Sequence, residues 1–441
     1  MNQKIKPAIV FQGPIRTLSG YGARARDFVT SLIKLGYDVE IIATNWGDTP
    51  HTGLDKSNPN HEAIRQRIIP QLTRQPDIWI QCTIPNEFQK VGKYNIGLTA
   101  GIETTLCQPE WIEGCNRMDL LLVSSAHSKH IFETSQFEKR DEQSQTLIEI
   151  LKLKVPCEVV MEGVDLDVYK KTTAPQPSIN KFMNSIDEEF CFLFVGHWLQ
   201  GDLGADRKDI GMLINSFLNI FKKKAPQNRP ALILKTSHAN FSRLELHSIQ
   251  DKIRTIMQLV ADQNKWTGAL PNIYVLHGDL SDAEMNALYN HPKIKAMVSF
   301  TKGEGFGRPL LEFTTSGKPV IASAWSGQLD FLNPEYSYLL PGQITQVHGS
   351  AVNNWIMKES GWFTVNYTYA AQIIESCHKM YDKFAEKAKK HIAITKSSFS
   401  LDAMTTRISM IFDKLESYRD AKLEQQPAQQ TFKIPEKISN I

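Results

Sequence analysis

Short apolar runs alternate along the chain with stretches in which apolar residues return every three or four positions, the two periodicities that distinguish buried strands from amphipathic helices. The first run, 8–11, stops at Gln12, Gly13 and Pro14, which predicts a buried strand ended by a loop. Ser19 and Gly20 then lead into 21–35, where Phe28, Leu32 and Leu35 share a helical face and Gly36 supplies the stop. Further strands are predicted at 39–43, 78–81, 94–98, 120–123 and 159–160, with helical patterns between several of them. A second series follows, with strands at 192–195, 231–235, 273–276, 296–300 and 319–322 and helices at 210–221, 248–262, 281–289 and 309–316. Alternation of this kind builds parallel sheets covered by helices. Between the two series, 172–178 carries Pro and Ser and reads as a linker. Two consecutive doubly wound α/β domains result, at 1–172 and 179–398. A helix at 402–420 is expected to pack back on the first domain, and 424–441, rich in Gln, Pro and Lys, to form a loosely held tail.

Length and composition agree with two folded domains: 441 residues, 41% apolar and 22% charged. Lys and Arg total 50 against 47 Asp and Glu, a formal charge of +3, which leaves no net field to hold nucleic acid and allows at most a local basic face. Six cysteines are scattered without a C-x-x-C pair, and Cys191 lies inside an apolar run, so buried free thiols are expected. The first residues lack the apolar stretch of a secretory signal and no run reaches the ~18 apolar residues of a membrane span, so the expectation is a cytoplasmic protein. The histidines form no metal-binding spacing, so no metal is expected. There is no P-loop motif, and Gly20-Tyr21-Gly22 is not followed by the third glycine of a dinucleotide fingerprint.

The most informative segment begins at the predicted strand Met297, Val298, Ser299, Phe300 and turns through Thr301, Lys302, Gly303, Glu304, Gly305, Phe306, Gly307, Arg308 and Pro309 into a helix carrying Leu310, Leu311 and Glu312. Three glycines in five residues let backbone approach a ligand, and Pro309 suits a first helical turn. The turn falls at the carboxyl end of a strand, where open α/β sheets bind ligands. Glu304 and Glu312 bracket it, and two carboxylates can accept hydrogen bonds from the hydroxyls of a sugar and a ribose. A glycine-rich turn with one capping and one solvated glutamate is the plainer alternative.

Glu304, seven residues and Glu312, with Gly305, Phe306 and Gly307 inside, resemble the E-x7-E signature of family-4 retaining glycosyltransferases. The following Gly317, Lys318, Pro319, Val320, Ile321, Ala322, Ser323 and Gly327 match that family's next strand and loop. The resemblance implies the GT-B architecture, two Rossmann-like domains facing each other across a cleft, and a nucleotide-sugar donor, with a UDP-sugar the first choice. It implies that Glu304 contacts donor-sugar hydroxyls, that Glu312 contacts the ribose, and that Gly305, Phe306 and Gly307 offer backbone N–H groups to the sugar or phosphate. Arg207 and Lys208, after the strand that ends at Val195, Gly196 and His197, look like the basic loop that neutralises the donor diphosphate, and Lys235 is a second candidate cation. Many relatives carry Arg where this chain has His197. Gly20 and Gly22 look like the family's glycine loop near the donor phosphate, and Glu162, Gly163, Val164 and Asp165 like the end of its first domain. The loop of Gly101 and Glu103 lacks the histidine many relatives carry there, which leaves Glu103 as a candidate contact to sugar or acceptor.

Runs within 94–105 and 109–119 resemble glycosyltransferases of large tailed phages, some of which glycosylate hydroxymethylated pyrimidines in DNA. This implies duplex DNA as the first-choice acceptor, with Lys222–Lys224 and Lys387–Lys390 as phosphate contacts. A cell-surface glycan or protein acceptor, and a catalytically silent sugar-nucleotide-binding protein, stay open beside it. Trp46 and Asp48, in the loop after the second strand, are candidates to line the acceptor side.

Overall fold

The computed structural model describes residues 6–56, 58–141, 143–238 and 242–424, with side chains in the last helix described to Leu415. The first domain runs β1 (Ile9–Gly13), α1 (Gly20–Lys34), β2 (Val39–Ala43), α2 (Pro59–Arg65), β3 (Ile78–Cys82), β4 (Tyr94–Leu98), α3 (Pro109–Cys115), β5 (Leu120–Val123), α4 (Ala126–Thr134), β6 (Gln136–Arg140), β7 (Leu147–Lys152) and β8 (Cys157–Val159). The second runs α5 (Pro177–Asn184), β9 (Cys191–Val195), α6 (Ile210–Phe221), β10 (Ala231–Lys235), α7 (Arg243–Asn264), β11 (Ile273–Leu276), α8 (Asp282–Asn290), β12 (Ile294–Ser299), α9 (Arg308–Thr314), β13 (Val320–Ser323), β14 (Tyr338–Leu340), β15 (Gly342–Gln346), β16 (Gly361–Val365), α10 (Tyr367–Lys379), α11 (Tyr381–Lys389) and α12 (His391–Ser398). α13 (Leu401–Glu424) closes the described chain.

Each domain holds one six-stranded sheet of parallel strands, in the orders β2-β1-β3-β4-β5-β8 and β11-β10-β9-β12-β13-β14. The strand order reverses beside β1 in the first sheet and between β9 and β12 in the second. At such switch points the loops from neighbouring strands part and leave a crevice at the carboxyl ends. The inner strands are almost wholly buried, as parallel strands covered on both faces must be, and this is why they read as continuous apolar runs, while the edge strands β2, β8, β11 and β14 are partly exposed.

The linker predicted at 172–178 ends early. Pro177 opens α5, with Ile179 and Met183 four residues apart on the face buried in the second domain's core. β6 and β7 form an exposed antiparallel hairpin, and β15, exposed, pairs antiparallel with the buried β16; neither pair is expected from the pattern. The expected tail coincides with α13 at Glu424, and its remainder, 425–441, lies outside the described residues.

The chain crosses between domains twice, and the two crossings are joined. Val164 N–H donates to Phe399 O at 2.8 Å and Leu401 N–H to Val164 O at 2.9 Å. Gly163 has to be glycine there, because a Cβ would fall 2.7 Å from the Leu401 Cα. α13 then returns to the first domain and buries Leu401, Met404, Ile408, Ile411, Phe412 and Leu415 in the core with Phe11, Phe28 and Leu32. All six cysteines are buried free thiols. Among the described residues no helix is long and apolar enough to cross a membrane.

Candidate functional site

Four of the residues singled out in the sequence meet at the second domain's switch point. β9 leads through Gly196 to Arg207 and Lys208, and β12 through Thr301 to Glu304. The Glu304 carboxylate, 8% exposed, takes a short hydrogen bond from the Lys208 ammonium, and Arg207 Nη1 lies 3.6 Å away. Arg207 Nη1 also donates to Gly303 O at 2.8 Å and stands 3.4 Å from Glu103 in the first domain. Burial would push the Glu304 carboxyl up, but the two cations outweigh it and hold it below the usual carboxylate range. Burial in turn lowers the Lys208 ammonium, opposed by Glu304.

The loop between β12 and α9 is pinned from three sides. Lys302 N–H donates to Arg207 O at 2.7 Å, Glu304 N–H to Ser326 Oγ at 2.9 Å, and Gly305 O accepts from Ser124 Oγ, across the domain boundary, at 2.9 Å. Ser326 has φ +69°, a strained value for serine that costs of order 1–3 kcal/mol. Gly305 passes so close to the first domain that a Cβ would meet Ala100 O at 2.5 Å, and Gly303 packs as tightly on Glu103 O. The N–H groups of Gly305, Phe306 and Gly307 have no acceptor among the described residues. The Phe306 side chain takes no part in the site. It is buried and packs on Phe331, with ring centroids 5.1 Å apart.

Beneath this loop lies a buried ion pair that no sequence pattern announced. Lys302 Nζ is 3.2 Å from Asp209 Oδ2, Tyr367 Oη donates to the same oxygen at 2.6 Å, and Lys302 also donates to Thr364 Oγ1. Asp209 adopts φ +52° directly before α6, where its side chain makes no capping bond and is held by Lys302 and Tyr367 instead, so the pair fixes the backbone that carries Arg207 and Lys208.

Glu312 stands apart from Glu304, one turn into α9. Its Oε1 accepts from Arg308 Nε at 2.8 Å and its Oε2 from Tyr289 Oη at 3.3 Å. Burial, helped by the nearby charge of Asp282, pushes its carboxyl up to about 7 against the pull of Arg308 and Tyr289. The Arg308 guanidinium also reaches Asp27 and, at 3.7 Å, Glu162. Arg308 lies inside the signature run and was not singled out, since its partner Asp27 is far away in sequence.

The remaining candidates sit less directly in the site. Gly20 opens α1 into free space, whereas the Gly22 amide is taken by Ser19 Oγ at 3.0 Å and its Cα packs on Thr17. Lys235 ends β10 and donates to Gly278 O at 2.7 Å. His197 bonds Ser237 Oγ through Nδ1 at 3.0 Å, and burial with Lys208, Lys235 and Arg207 nearby lowers its imidazole to about 4, so it is neutral. The lysine runs lie at the opposite edge of the sheet. Arg229 donates to the carbonyls of Lys222 and Lys224 just before β10 begins, and Lys387 packs over Tyr338 at the start of β14. Both are amino ends of strands. No group of His, Cys, Asp or Glu that could hold a metal ion occurs among the described residues.

No protein-family model and no curated protein matches the chain. Solved structures do. HepE from Anabaena in complex with UDP-glucose superposes with a TM-score of 0.56 over 92% of this chain and 100% of that one, at 16% identity. Sucrose-phosphate synthase from Thermosynechococcus elongatus gives 0.59 over 94% and 100%, at 13% identity. A glycosyltransferase from Rickettsia africae gives 0.55 over 96% and 100%, at 14% identity. The two domains are thus arranged as in GT-B glycosyltransferases.

Proposed function

We propose that the chain is a retaining glycosyltransferase that moves a sugar from a UDP-sugar to an acceptor hydroxyl. The observation that carries this is the convergence of Arg207, Lys208 and Glu304 at the second domain's switch point, in a fold whose solved neighbours include a complex with UDP-glucose. As the bond from anomeric carbon to diphosphate breaks, negative charge grows on the leaving oxygen. Arg207 and Lys208, fixed from below by the Lys302–Asp209 pair, stabilise that charge without reorganising, and the three loop N–H groups add to it. Glu304, oriented by the same cations, accepts hydrogen bonds from donor-sugar hydroxyls, and Glu312 from the ribose. Glu304 is committed to two cations and is no nucleophile. The leaving diphosphate itself takes the proton of the acceptor hydroxyl, which attacks from the same face, as the E-x7-E resemblance implies.

The position of the lysine runs, at the amino ends of the strands and away from the cleft, favours a neutral saccharide acceptor over duplex DNA. The test combines calorimetry with UDP and release of UDP from UDP-glucose, UDP-galactose and UDP-N-acetylglucosamine, with and without saccharide acceptors, plus NMR of the product's anomeric configuration. Binding with turnover and retained configuration is expected. Binding without any turnover would instead make the chain a silent sugar-nucleotide binder, and no binding would overturn the reading.

A further inference from the structure

Trp46 is an aromatic residue without a core. It belongs to none of the fold's apolar clusters and stays half-buried, yet its ring is held against Tyr21 with centroids 3.9 Å apart and planes 23° apart. Tyr21, in the first turn of α1, is fixed by a 2.8 Å hydrogen bond between its Oη and Thr99 Oγ1 at the end of β4. The loop bearing Trp46 is anchored at both ends. Thr44 N–H donates to Gly13 O at 2.9 Å, and Gly53 N–H donates to Arg16 O at 2.9 Å. Inside it, Thr49 Oγ1 donates to Trp46 O at 2.6 Å. A large ring is therefore displayed rigidly to solvent at the carboxyl edge of the first sheet.

From Trp46 a continuous path leads to the donor loop: Tyr21, Thr99, the 99–103 backbone, Glu103, Arg207, Glu304. Asn45 and Asp48, both exposed, flank Trp46 in its loop, Glu103 lies further along that path beside Arg207, and within 44–53 the only charged side chain is Asp48. An aromatic face with carboxylate and amide acceptors around it suits a ring with apolar C–H faces and equatorial hydroxyls. It disfavours a phosphodiester, because Asp48 has no lysine or arginine with it in that loop, and Arg207, the cation on the path, is already shared between Glu103 and Glu304.

We infer that the Trp46–Tyr21 stack, flanked by Asn45 and Asp48 on the path that leads to Glu103, is the acceptor subsite and binds a neutral pyranose. This rests on the transferase reading and narrows it to a saccharide acceptor. The test is saturation-transfer NMR on the full chain with UDP present, using the methyl glycosides of glucose, mannose and galactose as probes, alongside a 5-hydroxymethylcytosine oligonucleotide. At least one glycoside should receive saturation on its ring C–H protons. Trp46→Ala should abolish that transfer, Trp46→Phe should retain part of it, and Asp48→Asn should weaken it several-fold, while UDP affinity changes less than about twofold in each. Should Trp46→Ala fail to fold, the Phe and Asp48→Asn variants decide. Saturation that persists without Trp46, absence of saturation from every glycoside, or Trp46-dependent binding of the oligonucleotide in their place would each overturn the proposal. Loss of UDP binding by the unaltered chain would instead overturn the transferase reading.

Discussion

Arg308, on the first turn of α9, donates its guanidinium to Asp27 on α1 of the other domain, while its Nε donates to Glu312 on its own helix at 2.8 Å. One cation thereby ties the proposed ribose carboxylate to the opposite wall of the cleft. Asp27 and Arg308 are both largely buried, with side-chain exposures of 13% and 18%, so neither is cheaply left alone.

A double-mutant cycle measures that tie. Asp27→Asn and Arg308→Gln should each destabilise the protein by about 2–4 kcal/mol, and the double variant by less than their sum, with a coupling of about 1–3 kcal/mol. Thermal unfolding of the four proteins reads it. Strict additivity would mean that the pair does not join the domains in solution.

Glu312 gives a pH dependence. Its carboxyl is raised to about 7 by burial, so the folded state holds the proton more tightly than the unfolded chain does. The resulting stability is fully present below the unfolded pKa and is lost as pH rises through about 7. Binding through the carboxylate runs the other way, since below 7 the acceptor is protonated. UDP affinity should therefore rise between pH 6 and 8, and Glu312→Gln should weaken binding by about 1.5–3 kcal/mol and remove the part of the slope due to this group. Calorimetry at three pH values checks this, and an unchanged slope in the variant would remove Glu312 from the donor site.

For Glu304 the split between binding and turnover is decisive. Glu304→Gln should lower kcat by about a hundredfold or more while changing UDP affinity less than about tenfold, because its partner is the sugar. Replacing Arg207 and Lys208 together with Ala should depress both. Turnover near that of the unaltered chain in the double variant would move the phosphate contacts to Lys235.

The buried Lys302–Asp209 pair acts through others. Asp209→Asn leaves Lys302 without its counter-charge, which should cost about 3 kcal/mol or more, and should lower kcat through displacement of Arg207 and Lys208. Tyr367→Phe removes a single hydrogen bond to the same oxygen and should cost only about 1 kcal/mol. If Asp209→Asn keeps full turnover despite a lowered unfolding temperature, the pair is structural alone.

What could be read from the sequence follows from what is local. β2, β4, β5, β10, β11 and α6 fall on the predicted residues because parallel strands, buried in β4, β5 and β10 and partly buried at the edges β2 and β11, and a strongly apolar helix are written in consecutive positions. β6 and β15 stayed hidden because most of their residues are exposed and polar, so neither run carries an apolar signal. The Glu304 loop was visible through its glycines and acids. The groups that aim it were not, since Arg308 finds Asp27, Lys302 finds Asp209 and Gly305 finds Ser124 across long stretches of chain that leave no periodic trace.

The return of α13 to the first domain sets an order of events during synthesis. The first core needs Leu401, Met404, Ile408, Ile411, Phe412 and Leu415, which at about 1.5–3 kcal/mol each rival the whole stability of a typical domain. The first core, though its strands are translated first, stays incomplete until 401–415 have left the ribosome, after the last elements of the second domain. Released chains truncated after Ser400 should accordingly show protease resistance in the second domain and none in the first.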